Sequence, residues 1–116
     1  PGEWTIQDVI QHIVDTERVF AYRALRIARG DTTALPGFEQ DDYAATAGAN
    51  DRHLADLLAE HSAVRRASIA LFAGLPEPAL DRVGTANDHP VSVRAIAHLI
   101  AGHELYHIAS LRTNYP

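Results

Sequence analysis

The sequence predicts an all-α domain, because three long segments show helical hydrophobic periodicity. These segments span about residues 5–29, 51–73 and 92–112, and Gly or Pro residues bound them. The chain has 116 residues, of which 47% are hydrophobic, and this is enough to bury one core. We therefore expect residues 1–116 to form a single helical domain.

Composition excludes several classes of protein. The sequence contains no cysteine, so a disulfide framework and a thiolate ligand are both excluded, and a cytoplasmic location is favoured. The formal charge of -5 disfavours a nucleic-acid-binding protein, which normally carries a basic face. No apolar run reaches the ~20 residues that a transmembrane helix needs. Any metal site must therefore use His, Asp or Glu.

The first two helices have clear boundary signals. After a turn at residues 1–3, Thr5 is the expected N-cap of the first helix and Asp8 completes a capping box. A long connection, residues 31–50, contains a possible short helix at residues 40–47. The second long helix is expected to begin at Asn50 or Asp51. Residues 83–91 are expected to form a polar loop, and no strand pair is predicted.

The last helix, residues 92–112, is expected to begin after Ser92 and carries the strongest functional signal. His103 and His107 are four residues apart, so both imidazoles project from one face. Two such imidazoles can bind one zinc, nickel, copper or iron ion, whereas the alternative is that they pack against the core. The motif is His-Glu-x-x-His, as in zinc proteases. No His, Asp or Glu follows His107, so a third ligand is expected from upstream, which argues against a protease.

Two upstream histidines compete as the third ligand. His12 lies at the edge of the apolar stripe of the first helix and is the better candidate. His61 lies on the second helix, where packing or a hydrogen bond beside the site is its expected role. Glu17 falls within the apolar stripe, so we expect a salt bridge to Arg65, with support of the metal site or a role as a base as the alternative. Glu104 is expected to point away from the histidine pair.

Three segments carry a resemblance to a known family. They are EWTIQDVIQHIVDTERVFAYRALRIARGD (residues 3–31), LPGFEQDDY (residues 35–43) and SVRAIAHLIAGHELYHIASL (residues 92–111). One His after a W-[ST]-x-x-[DE] helix start, followed by H-x-x-x-H on the last helix, is a fairly specific combination. In these features the chain resembles the DinB/YfiT-like family of metalloenzymes.

The resemblance implies a DinB-like four-helix bundle, commonly dimeric, which holds a divalent metal ion. Nickel or zinc is the typical metal, and the three matching ligands are His12, His103 and His107. Family members usually carry a further helix before the W-[ST]-x-x-[DE] segment, so this chain is expected to lack the first helix of the bundle. An apolar groove, exposed or covered by another chain, should result.

The function expected from this resemblance is that of a metal-dependent enzyme, first of all a thiol-dependent transferase. Relatives include transferases and isomerases that use bacillithiol or mycothiol, so a low-molecular-weight thiol is a candidate substrate. A metal-dependent hydrolase is the second possibility. A non-catalytic, stress-related helical protein with a structural metal or none is the third. Arg23 and Arg26 share a line of the first helix with His12, so their position makes them candidates for binding an anionic substrate.

Overall fold

A computed structural model describes residues 4–114, and the turn expected at residues 1–3 lies outside them. Helix α1 comprises Ile6–Ala28. Its start is the predicted capping box, in which the Asp8 amide donates to Thr5 Oγ1 at 3.1 Å and the Thr5 amide donates to Asp8 Oδ2 at 3.0 Å. The chain leaves the helix through Gly30, whose φ of +84° suits a residue without a Cβ atom.

The remaining helices are α2 (Gln40–Thr46), α3 (Leu54–Ala73) and α4 (Val93–Asn114). Ser92 caps α4 as predicted, because its Oγ accepts a hydrogen bond of 3.0 Å from the Ala95 amide. The predicted start of α3 is wrong by a few residues. Asn50 does not cap that helix because its side chain is engaged by Thr5 and Asp8, and residues 49–51 form a 3-10 turn instead.

A small β-hairpin stands where the sequence predicted a polar loop. Strand β1 (Val83–Ala86) pairs antiparallel with β2 (His89–Ser92). The turn residues Asn87 and Asp88 have φ angles of 51° and 65°, as a type I′ hairpin turn requires. The all-α prediction therefore holds for the bulk of the chain, which is mostly helical, and it missed this one strand pair.

Helix α1 is central to the fold because it packs against both α3 and α4. The main apolar cluster lies between α1 and α4 and includes Ala24, Ile27, Val93 and Ile96. Helices α3 and α4 share few contacts with each other, and a groove of about 560 Å³ separates them.

The predicted apolar surface is present on α3 and α4, and Ile69 and Phe72 line this groove. Several large apolar side chains remain exposed on α3 and α4, and Ile69, Leu105 and Tyr106 are 60%, 67% and 70% exposed. Within residues 4–114 no helix combines the length and the apolar character that crossing a bilayer requires.

Candidate metal centre

Three histidine side chains meet between α1 and α4. Nε2 of His12 lies 3.0 Å from Nε2 of His103, which in turn lies 3.1 Å from Nε2 of His107. The ligand atoms of all three lie within 4.8 Å of one another. The i, i+4 spacing on α4 places two of the imidazoles side by side, and the packing of α1 against α4 supplies the third.

The surroundings of the three rings are largely aromatic. The His12 ring centre is 5.0 Å from that of Trp4, and the His103 ring centre is 6.2 Å from that of Phe20. Tyr106 lies against His107, with ring centres 5.1 Å apart. Sequence reasoning did not identify these aromatic neighbours, because Phe20 lies about 80° around α1 from His12 and approaches the histidines only through the packing of α1 against α4.

One polar contact orients His12 from behind. The Thr16 hydroxyl lies 3.4 Å from Nδ1 of His12, one helical turn along α1. When Nδ1 carries the ring proton and donates to this hydroxyl, Nε2 keeps its lone pair and faces the other histidines. This is the tautomer that metal ligation through Nε2 needs.

The protein environment favours the neutral form of all three imidazoles. Burial and, to a lesser extent, the neighbouring His103 and His107 lower the pKa of His12 to about 4. Burial, with help from His107, also lowers the pKa of His103 to about 4. Burial lowers the pKa of His107 as well. Neutral imidazole is the form that binds a metal ion, so these three side chains are ready to act as ligands at neutral pH.

The donor set fits a divalent ion. Tetrahedral coordination with bonds of about 2.0–2.1 Å places two imidazole nitrogens about 3.3 Å apart. The observed separations of 3.0 and 3.1 Å are close to that value. Among the described residues no Asp or Glu joins the three histidines, so the protein offers three neutral nitrogen ligands there.

Comparison with known families places these histidines in a family context. The family profile of the DinB superfamily matches residues 1–111. The chain belongs to the DinB superfamily. The match confirms the family expected from the sequence motifs and covers all three histidines. Searches of curated proteins and of solved structures find no match.

A second polar cluster joins three helices of this DinB-superfamily protein. Arg65 of α3 donates from Nε and Nη2 to the two oxygens of Glu17 on α1, at 3.1 and 2.8 Å, and from Nη2 to Glu104 on α4, at 2.7 Å. His61 also contacts Glu104, with Nε2 2.5 Å from Oε1. The salt bridge expected between Glu17 and Arg65 is therefore present. Glu104 points away from His103 and His107, as expected, and contacts Arg65 and His61 instead.

Glu17, His61 and Glu104 have ligand atoms close enough together to hold an ion of their own. The guanidinium of Arg65 already donates to both carboxylates and places a positive charge where an ion would sit. This cluster is therefore an interhelical ion-pair network, and His61, the competing ligand candidate, belongs to it rather than to the three-histidine group.

The two arginines named as substrate-binding candidates lie in different environments. Arg26 is engaged by the carboxylate of Asp31, with Nε 2.7 Å from Oδ2, and its Nη1 also contacts Tyr22. Arg23 is 8% exposed and donates from Nη2 to the Pro36 carbonyl oxygen at 2.8 Å. Both lie on α1 beyond the three histidines, but only Arg23 contacts an aromatic ring that also lies beside His103.

Proposed function

We propose that this protein is a metal-dependent enzyme in which His12, His103 and His107 hold one divalent ion, nickel or zinc. The observation that carries the proposal is the convergence of three neutral imidazole nitrogens at separations that suit one ion. Membership of the DinB superfamily, together with this set of three histidines, supports a metal-binding role. A thiol-dependent transferase acting on a small-molecule substrate is the activity we favour.

The absence of a carboxylate from the three-histidine group, among the described residues, supports a catalytic rather than a structural ion. Three neutral ligands leave the charge of a divalent ion uncompensated, which favours an anionic ligand from outside the protein. An ion in such a site supplies Lewis acidity and lowers the pKa of a bound water or thiol.

The protein's own residues would prepare the site for this chemistry. The Thr16 hydroxyl, 3.4 Å from Nδ1 of His12, would hold the ring in the ligating tautomer by accepting a hydrogen bond from Nδ1–H. The ring of Trp4 lies against His12 and that of Phe20 lies near His103, and both would reduce the access of water. In a less polar site, a charge on a substrate interacts more strongly with the protein than it does in water.

Metal analysis of a His107→Ala variant tests the binding part of the proposal. The wild type should retain about one nickel or zinc ion per chain after dialysis, and the variant should retain almost none. The helices should persist because the apolar cluster lies elsewhere along α1 and α4. The matched control is His98→Ala, since His98 is exposed on the same helix and should leave metal content unchanged.

Two results would contradict this assignment. Full metal content in His107→Ala would show that His107 is not a ligand. Loss of both the metal and the circular dichroism signal would make the ion structural, and would favour the non-catalytic alternative.

A substrate screen separates a transferase from a hydrolase. Metal-loaded protein is incubated with an activated aryl halide and with an activated ester, each with and without a panel of small thiols. A transferase consumes thiol in proportion to product, whereas a hydrolase releases product from the ester without any thiol. His107→Ala should abolish either activity.

A homodimer is the assembly we propose, on the basis of the apolar groove between α3 and α4. Sedimentation velocity at several protein concentrations measures this directly. A single species with the mass of one chain at all concentrations would contradict the proposal.

A further inference from the structure

Arg23 has an environment unlike that of the other described arginines. Among residues 4–114 it is the only arginine that is buried. No carboxylate of the described residues contacts it, whereas most other described arginines that form contacts pair with an acidic residue. Burying a guanidinium without an anion costs free energy of folding. At Arg23 the protein nevertheless keeps a buried positive charge that none of its described acidic side chains compensates.

The hydrogen-bonding capacity of Arg23 is only partly used. Within residues 4–114 its one acceptor is the Pro36 carbonyl oxygen, which accepts from Nη2. Among the described residues no fully buried side-chain nitrogen or oxygen lacks a partner. The guanidinium nitrogens of Arg23 that have no acceptor must therefore reach solvent, although the residue as a whole is 8% exposed. Among the described residues these nitrogens have no acceptor, so they are donors that a ligand reaching Arg23 could use.

Two aromatic rings flank this guanidinium. Its Cζ atom lies 5.7 Å from the ring centre of Phe20 and 5.9 Å from that of Phe38. The rings hold the planar group in place and reduce the water around it, which strengthens its attraction for an anion. Arg26, three residues further along α1, does not share this setting, because Asp31 already neutralises it.

Phe20 connects Arg23 to the candidate metal centre. The centre of its ring lies 6.2 Å from that of His103 and 5.7 Å from Cζ of Arg23. The ring of Phe20 therefore lies near both the Arg23 guanidinium and the His103 imidazole. A small molecule that covers Phe20 could place one end at the histidines and the other at Arg23.

From this arrangement, and resting on the function proposed above, we propose that Arg23 recognises a carboxylate of the substrate. The substrate would carry a metal-binding group at one end and a carboxylate at the other, separated by a short apolar segment over Phe20. A carboxylate is the expected anion because it is planar and accepts two parallel hydrogen bonds from a guanidinium.

Matched thiols test this proposal. The probes are a series of mercaptocarboxylates, from mercaptopropionate to mercaptohexanoate, each paired with the mercaptoalcohol of the same length. Their dissociation constants are measured by calorimetry on nickel-loaded protein. At the best length the wild type should bind the carboxylate on the order of tenfold more tightly than the alcohol. Arg23→Gln should lose this preference, and the exposed Arg66→Gln control should keep it.

Arg23→Lys keeps the charge but lacks the planar fork, so its preference should fall several-fold. This variant carries the test if Arg23→Gln does not fold. An undiminished preference in a folded, metal-loaded Arg23 variant would overturn the proposal and leave Arg23 as a side chain that fixes the Pro36 loop. A wild type that loads metal but does not prefer carboxylates would also overturn it.

A metal-free measurement separates this inference from the proposed function. Propionate is titrated into the metal-free protein, and the Arg23 Nε–H resonance is followed by NMR. A saturable shift of this resonance, without a comparable shift of the exposed Arg66 Nε–H, supports anion binding by Arg23 even if the wild type fails to bind nickel or zinc. The absence of a shift in a wild type that also binds no metal would overturn both proposals.

Discussion

Replacing Arg65 with methionine should destabilise the protein strongly at neutral pH and much less in acid. Arg65 donates to both carboxylate oxygens of Glu17, which is 3% exposed. Burial is the largest single influence and would raise the pKa of Glu17, but hydrogen bonds from Arg65 and Ser68, with the charges of Arg65 and His61, together hold this pKa below its usual value. Without Arg65, burial dominates and the carboxylate is left without its cation.

The magnitude follows from the burial of the pair. Removing one partner of a buried ion pair costs about 3–5 kcal/mol, because the other charge stays desolvated. The Arg65 side chain is 29% exposed and that of Glu17 is 3% exposed. We therefore expect the lower end, about 3 kcal/mol at neutral pH, which corresponds to a melting temperature lower by roughly 10 °C.

The pH dependence has a defined sign. In the variant, the pKa of Glu17 in the folded state lies above its value in the unfolded chain. The unfolded chain therefore releases this proton first as the pH rises, and the variant loses stability above about pH 4.5, the usual value for Glu. Below that pH both states are protonated, so the difference from wild type should shrink.

Urea unfolding followed by circular dichroism at pH 7 and pH 4 measures this effect. The double variant Glu17→Gln/Arg65→Met should be more stable at pH 7 than Arg65→Met alone, because it no longer contains the buried, unpaired Glu17 carboxylate. Arg94→Met is the control, and should have little effect, since its partners Glu77 and Asp81 are 80% and 74% exposed. Equal losses at both pH values, or no gain in the double variant, would mean that Arg65 stabilises by packing alone.

Three further predictions concern the effect of pH on stability and the space around two glycine residues. The metal-free protein should lose stability on the order of a few kcal/mol as the pH falls from 6.5 to 4. In this range His12 and His103 take up protons in the unfolded chain, but in the folded protein their pKa values are about 4 and they stay neutral. A urea-unfolding midpoint that does not change with pH would contradict this. Gly84→Ala should cost about 1–3 kcal/mol in thermal or urea unfolding, since its Cβ would lie 2.5 Å from Ile27 Cγ1, and an unchanged midpoint would show that Ile27 can move aside. Gly102→Ala meets no atom within 4 Å and should stabilise α4 by about 0.5–1 kcal/mol, so a loss in the same assay would contradict the open space seen there.

The long helices were accessible from the sequence because their signals are local. The capping box of Thr5 and Asp8 and the cap at Ser92 involve residues within three positions of each other. The start of α3 was misplaced because the side chain of Asn50 serves a tertiary contact with α1, which no local pattern reports. The hairpin was missed because its strands are only four residues long and lack alternating hydrophobicity.

The same distinction between local signals and tertiary contacts applies to the residues of the candidate site. The spacing of His103 and His107 is local, and it indicated that they share a face. The choice of His12 over His61 depended on the family resemblance as well as on the helix face. The aromatic side chains around the histidines depend on how α1 meets α4, so the sequence alone did not indicate them.

The position of the apolar core explains why the histidine end needs polar contacts. The main cluster joins α1 to α4 through Ala24 and Ile96, on the side of the histidines that faces the hairpin. Nearer the histidines, Glu17 and Glu104 are joined across the helices by Arg65. A helix advances 1.5 Å per residue, so a small slip between α1 and α4 would separate the imidazole nitrogens. Helix α3 supplies no histidine to the group, yet its arginine fixes the relative position of the two helices that do.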